Sequence, residues 1–318
     1  MDGLAPGVHL ISADFSDGSN LNGTVNLPAG PAKVTIASPA AAPLAQLRSR
    51  IQAGRVLEPA GAWEFYRSQT FAGLDRAAAA AAIGSALEEL GQACVGDYVQ
   101  STATGLKRVM LQRAVDAFER LQLLRPEDRS IALRKQFCQG RVQIAEGRFA
   151  EAVVTLEATL KIDPRFACAY NALGVALQRI NKMRESRQAF EAAAKLTPEW
   201  GLPPFQIAQQ LVTAGDPGKA IPYFEKAVAF HPRSVINRWN LVRVLRMAGK
   251  ASQAEREGAE LLRLDPNYAP SYLELGQVYE IQGNATKAAE AYDTYVMLAP
   301  NFADTAAVRA RANQIRRK

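Results

Sequence analysis

Histidine is almost missing from this chain, with His9 and His231 the two in 318 residues, and cysteine is scarce, with Cys94, Cys138 and Cys168. No Cys-x-x-Cys and no closely spaced His pair occurs, which excludes zinc sites built from these residues and haem attachment. Three widely spaced cysteines give no disulfide framework, and their helix-like apolar surroundings read as buried, reduced thiols. No metal or other cofactor is expected. Long hydrophobic runs are also missing: Ala77 to Leu87 is short and broken by Gly84 and Ser85, well under the roughly 18 residues of a membrane span. Membrane insertion is therefore not expected. The start, Met1-Asp2-Gly3, has no basic stretch leading into an apolar segment, so a cytoplasmic location is expected, or a periplasmic one if the chain is cut from a longer protein. Glycines occur singly, without a phosphate loop, nucleophile elbow or kinase signature. Acidic pairs such as Glu88-Glu89 are adjacent and point to different sides of a helix. The chain reads as no enzyme.

Neither sign of charge dominates. There are 38 basic and 31 acidic residues, a net charge of +7, and five of the basic ones (Arg309, Arg311, Arg316, Arg317 and Lys318) crowd the last ten positions. The dense basic stripe with interleaved aromatics that nucleic-acid binders carry is absent, so nucleic acid is not the expected partner. With 48 % apolar and 22 % charged residues, the chain has ample material for globular cores.

What is present is a repeat. Pro164, Pro198, Pro232, Pro266 and Pro300 follow one another at intervals of 34 residues. In the same register lie a slim column (Gly140, Gly174, Ala208, Val242, Gly276) and a turn column (Gly147, Asn181, Gly215, Gly249, Gly283). A small column follows (Ala152, Ser186, Ala220, Ala254, Ala288), and then a mostly large one (Leu156, Phe190, Phe224, Gly258, Tyr292). Glycine or asparagine suits the left-handed backbone that ends one helix and turns into the next. Small residues let antiparallel helices approach, and the large residue one turn later fills the space beside them. Proline stops the second helix. Each repeat is thus a helical hairpin, with first helices expected over 133–146, 167–180, 201–214, 235–248 and 269–282, and second helices over 149–162, 183–196, 217–230, 251–264 and 285–298.

The unit Tyr170-Asn171-Ala172-Leu173-Gly174, Ser186, Phe190, Ala193, Pro198 resembles the tetratricopeptide repeat (TPR) family, as does Tyr272, Leu275-Gly276, Tyr279, Ala288, Tyr292, Pro300. The resemblance runs over 133–302 and implies an all-α fold: a right-handed TPR superhelix, or α-solenoid, of helical hairpins. Two positions depart from the pattern. Gly258 replaces a large residue, so loose packing is expected there, and Pro222 lies inside a second helix, where a slight bend is expected.

Residues 303–318 read as a capping helix with Val308, Ala312 and Ile315 on one face and the arginines largely off it; a contact of those arginines with an anionic surface is the alternative. Residues 44–132 read as irregular TPR-like units: a hairpin over 44–72, with Gly54 ending one helix and Pro59 opening another, then a long first helix over 76–102 carrying about eleven extra residues. Residues 1–38 form a β-like segment, with runs at Val8 to Phe15, Thr24 to Leu27 and Lys33 to Ala37, and 39–43 a linker. The run from Pro6-Gly7-Val8-His9-Leu10 to Val34-Thr35-Ile36 resembles the closing half of the PEGA-type β-sandwich found beside bacterial kinase and envelope modules. The other reading is a β-hairpin laid on the first helices.

The TPR resemblance also implies a concave groove, lined by the first helices, that binds an extended peptide or a partner's helix. Its first column is Phe137, Asn171, Phe205, Trp239 and Leu273, and one turn on lie Arg141, Val175, Gln209, Arg243 and Gln277, flanked by Arg134, Arg179 and Arg246. With the amides of Asn171, Asn240, Gln209 and Gln277, this makes an aromatic and basic surface suited to a protein or peptide partner of acidic or mixed character. Asn171 matches an asparagine that many peptide-binding members use; the lysines of the chaperone-tail carboxylate clamp are absent from the corresponding places. Phe137 and Phe205 have packing between first helices as their alternative role. The expected function is a protein–protein interaction scaffold. The alternatives are a regulatory segment of a larger bacterial signalling (kinase-type) or envelope-assembly protein and, further off, a nucleic-acid-binding solenoid.

Overall fold

The computed structural model describes the backbone of residues 7–14, 20–27, 41–71, 73–100 and 108–317. Strands β1 (Gly7–Asp14) and β2 (Asn20–Leu27) form an antiparallel hairpin in which Gly7 faces Leu27 and Asp14 faces Asn20. The third β-like run, 33–37, and residues 39 and 40 of the expected linker lie outside the described residues. Helix α1 (Ala41–Gln52) begins within that linker, and α2 (Ala62–Ser68), α3 (Gly73–Gln100), α4 (Arg108–Leu124) and α5 (Arg129–Ala145) follow. The chain divides into two compact units, one of Met1–Asp97 with Leu106–Val142 and the other of Tyr98–Gly105 with Gln143–Lys318.

In the first unit Gly54 takes a φ of +72° after α1. Trp63, Tyr66 and Phe71 stack in succession, with ring centroids 6.0 and 5.7 Å apart. Helices α3 and α4 repeat the logic of the regular hairpins despite their longer connection. A Cβ at Gly91 would stand 2.5 Å from the Phe118 ring, so this glycine exists to admit that ring. Leu47, Ile83, Leu87, Phe118 and Leu121 are fully buried in this unit.

The second unit continues with one helix, four hairpins and a last helix. They are α6 (Phe149–Ile162) to α8 (Met183–Leu196) by way of α7 (Ala167–Arg179); α9 (Leu202–Thr213) and α10 (Pro217–Phe230); α11 (Val235–Met247) and α12 (Ala251–Leu264); α13 (Ala269–Ile281) and α14 (Ala285–Leu298); and α15 (Thr305–Arg316). The turn column works as its residue types require. Gly147, Asn181, Gly215, Gly249 and Gly283 all have positive φ, between 63° and 81°. The next N–H in each turn reaches back to close the helix end, as from Lys182 to the Leu177 carbonyl (2.9 Å) and from Lys250 to that of Leu245 (2.8 Å). Helix α10 runs unbroken through Pro222.

The hairpins close on a ring over a glycine. A Cβ at Gly174 would lie 2.5 Å from the Phe190 ring, and one at Gly276 would lie 2.4 Å from that of Tyr292. Position 258 corrects the expectation of loose packing. Gly258 is buried, and a Cβ there would meet Leu275 Cδ2 at 2.4 Å, so a side chain from α13 fills the space that an aromatic of α12 would take. Val242, in the slim column, is fully buried in the same region. Small and large have changed places, and the contact has moved from within a hairpin to between two. Ser186 links hairpins in another way: its hydroxyl donates to the Gly174 carbonyl (2.6 Å) and accepts from Gln210 Nε2 (2.7 Å).

Val308, Ala312 and Ile315 of α15 are buried together with Ala288, Tyr292 and Tyr295. The Thr305 hydroxyl donates to the Ala299 carbonyl and the Tyr295 hydroxyl to Asp304, both at 2.5 Å. Burial and the Asp304 carboxylate push the Tyr295 phenol up to about 12. Arg311 pairs with Glu280 and Arg316 with Asp293, so two of the terminal arginines are engaged with the preceding helices.

Three outcomes are expected. Deleting 303–318 uncovers Tyr292 and Tyr295, and the lost burial of three apolar side chains, about 1–3 kcal/mol for each large one, lowers the melting midpoint or drives association. An unchanged melt of a monodisperse truncated protein would remove the cap assignment. Gly258→Phe, which restores the family's residue type, destabilises by about 1–3 kcal/mol through collision with Leu275, and Leu275→Ala in the same chain recovers part of it in urea titration. Because the Tyr295 phenol titrates higher folded than unfolded, its stabilisation is complete below about pH 10 and is lost as pH rises through about 12; Tyr295→Phe flattens that alkaline slope in melts taken across this range.

Candidate partner-binding face

Helical spacing puts Trp239, Arg243 and Arg246 on one face of α11, since positions three and four apart neighbour each other. Helices α11 and α13 touch directly, so side chains of one reach the other. The Trp239 indole N–H donates to the Pro270 carbonyl (3.3 Å), and its ring meets Tyr268 edge-on at 6.5 Å. Burial and the nearby Asp265 carboxylate raise the Tyr268 phenol, which stays a neutral hydroxyl. Arg246 Nε lies 2.7 Å from a carboxylate oxygen of Glu274, whose side chain is 8 % exposed. This charge is therefore spent within the fold.

Arg243 differs. Its guanidinium carbon lies 5.2 Å from the Trp239 ring centroid, and it has no carboxylate partner among the described residues. Gln209 on α9 and Gln277 on α13 are half-buried, as are Arg243 and Leu273. Gln209 Nε2 has one long contact, 3.5 Å to Asn240 Oδ1. Together these side chains offer a cation, two amides and an apolar contact, enough to hold a carboxylate and an extended backbone.

The other sequence-predicted groove residues serve the interior. Asn171 is wholly buried and donates from Nδ2 to the Tyr98 hydroxyl at 2.7 Å, and the Tyr98 ring packs edge-on against Trp200 at 5.7 Å. Asn240 is 3 % exposed and donates to the Ile236 carbonyl in its own helix. Phe205 packs edge-on against Phe224, on the second helix of its own hairpin, at 5.6 Å. In the first unit, Phe137 has no exposed surface and Arg141 is 5 % exposed, with Arg141 Nη1 donating to the Cys94 carbonyl at 2.8 Å. As placed here, Phe137, Arg141, Asn171 and Asn240 do not present a surface to a ligand. Of the flanking arginines, Arg134 lies 3.5 Å from Glu88, and the Arg179 guanidinium carbon lies 4.4 Å from the Phe149 ring.

Sequence reasoning missed the groups that consume these side chains: Tyr98, Glu274 and the Pro270 carbonyl. A signal existed for Glu274, an acid between Leu273 of the groove column and the Leu275-Gly276 pair of the repeat. None existed for Tyr98, which a long helix brings to Asn171 from 73 residues away.

The tetratricopeptide repeat family model matches residues 139–199, 205–269 and 248–301. Protein FlbA of Caulobacter vibrioides is 24 % identical over 227 residues, 70 % of this chain, and this chain spans 37 % of its length. Among solved structures, YrrB, described as a TPR protein with an unusual peptide-binding site, superposes with a TM-score of 0.54 at 21 % identity, covering 63 % of this chain and all of that one. The pilus biogenesis factor PilW superposes with a TM-score of 0.50 at 18 % identity, covering 58 % and 86 %. A fragment of MamA from Desulfovibrio magneticus RS-1 gives 0.50 at 17 % identity, covering 55 % and 98 %. At such identities the likeness is one of fold. Residue by residue, the turn, small, large and proline columns agree with it, and through residues 139–301 this chain belongs to the tetratricopeptide repeat family.

Proposed function

We propose that this protein is a non-catalytic scaffold that holds a carboxylate-bearing peptide segment of a partner protein against α9, α11 and α13. The repeat family and the fold support the broader role, a protein–protein interaction scaffold. The observation that carries the narrower one is Arg243. It is held against the Trp239 ring, lacks an acidic partner among the described residues, and has Gln209 and Gln277 one repeat away on either side in the same column. A planar guanidinium positioned this way takes a carboxylate bidentately, while amides pair with N–H and C=O groups of an extended chain. The peptide-binding site named for YrrB is in keeping with this use of the fold. A second reading, a segment of a larger machine, draws on the span of 37 % of FlbA.

A photo-crosslinking residue at Gln277 identifies the partner, and titration with the captured segment measures its affinity. Arg243→Ala is expected to weaken binding about tenfold, roughly 1.4 kcal/mol, and Arg243→Glu by more. Asn171→Ala is expected to lower the melting midpoint through loss of the Tyr98 hydrogen bond, with affinity at saturating folded protein unchanged. Glu191→Ala, exposed on α8, is the control. Equal affinity for Arg243→Glu and the original chain would place recognition elsewhere. Steeply salt-dependent binding of random-sequence DNA would favour the nucleic-acid solenoid instead.

A further inference from the structure

The helices of the first unit bring together two cysteines that the sequence keeps 44 residues apart. Cys94 lies on α3 and Cys138 on α5, both buried, and the Cys138 thiol donates to Cys94 Sγ at 2.9 Å. That separation is about 0.9 Å longer than a disulfide bond of about 2.05 Å. Arg141, one turn beyond Cys138, puts Nη1 3.6 Å from Cys94 Sγ and anchors itself on the Cys94 carbonyl at 2.8 Å. The two sulfurs are therefore unequal. Cys94 receives a thiol hydrogen and a guanidinium N–H, both of which favour its thiolate, whereas Cys138 is the donor. Burial and the neighbouring sulfur raise the Cys138 thiol well above its ordinary value. A cleft of about 70 Å³ lined by Leu90, Ala93, Cys94, Met110 and Arg113 lies beside Cys94. Such a space admits a molecule the size of a few waters and excludes a tripeptide disulfide.

We propose that Cys94 and Cys138 form a peroxide-reactive dithiol, with Cys94 as the attacking thiolate, Cys138 as the resolving thiol and Arg141 as the group that positions and charges Cys94. In the first step Cys94 Sγ attacks one oxygen of hydrogen peroxide. The O–O bond breaks, the other oxygen leaves as hydroxide and takes up a proton to become water, and Cys94 becomes a sulfenic acid. In the second step Cys138 Sγ attacks Cys94 Sγ while its proton goes to the departing hydroxyl, which leaves as the second water. Two thiols and one peroxide give one disulfide and two waters; the sulfurs lose two electrons in all, and the peroxide oxygens gain them. The product joins α3 to α5 across a 44-residue loop, and a reducing thiol pool reverses it. The inference is independent of the binding face described above.

The test uses the full chain, reduced and then treated with one equivalent of hydrogen peroxide, alkylated under denaturing conditions and digested with trypsin. The expected product has lost two hydrogens and joins fragments 77–107 and 136–141, with Cys168 still alkylated. Cys138→Ser should stop at the sulfenic acid, trapped by dimedone on residue 94, and Cys94→Ser should leave Cys138 alkylated. Oxidised glutathione should react far more slowly than peroxide with the native protein, and equally readily once it is unfolded. In Arg141→Lys the pH midpoint of the peroxide reaction should move upward, a readout that a purely structural arginine would not shift. Three alkylated cysteines after peroxide in the original chain would overturn the proposal without any variant. So would a dimedone adduct on Cys138 in Cys94→Ser, or a bridge to Cys168.

Discussion

A ring of the second helix seated where the first helix has no side chain is the contact on which the remaining packing depends. Gly91 with Phe118, Gly174 with Phe190 and Gly276 with Tyr292 have the same construction. The glycine brings the two helix axes close, and the ring repays that approach with buried area and dispersion contacts. Only after this closure can the small column, Ser186 and its relatives, sit against the neighbouring backbone and reach the next hairpin, as Gln210 to Ser186 does. The positive-φ turns set the direction of return, and the ring gives the returning helix of these hairpins its largest side chain to bury; α12, which has Gly258 there, packs through Ala254 and Leu261 instead.

The inner column shows how a repeat protein divides its surface between cohesion and recognition. Each hairpin must bind its neighbours before it can bind anything else, and large or polar residues on the facing side are the means available. Trp239 uses its N–H on a backbone carbonyl, Arg246 uses its charge on Glu274, and Asn171 uses its amide on Tyr98. Arg243 stands out because its position demands none of this. Its guanidinium carbon lies 5.2 Å from the centre of the Trp239 ring, and no carboxylate among the described residues takes its N–H groups.

The periodic part of the molecule was legible because it rests on residue types with local mechanical causes. Helix boundaries from α6 to α14 fall within a few residues of those read from the proline and glycine columns, and Val308, Ala312 and Ile315 are the residues that α15 buries. Position 258 was misread because a column argument looks along one hairpin, and Leu275 arrives from the next. Phe137, Arg141, Asn171 and Asn240 were read as groove-facing for a related reason. The register gives the side of a helix but not what another part of the chain lays over it. The nearness of Cys94 and Cys138 had no sequence signal, since it depends on how α3 and α5 pack and the two lie 44 residues apart.

The exchange of Gly258 and Leu275 has a mechanical consequence. In α3–α4, α7–α8 and α13–α14 the ring lies over a glycine of its own hairpin. Between α11–α12 and α13–α14 the Gly258 to Leu275 contact crosses the junction, and the Trp239 to Pro270 hydrogen bond and the Arg246 to Glu274 pair cross it too. These contacts tie α13 to both helices of the preceding hairpin, so a disturbance of one hairpin at this junction is felt by the other. Arg243 and Gln277 ride on α11 and α13, the two helices these contacts tie, so the same contacts restrain how far the two side chains part before a ligand arrives. A segment binding there loses its own freedom but does not have to quiet the protein first.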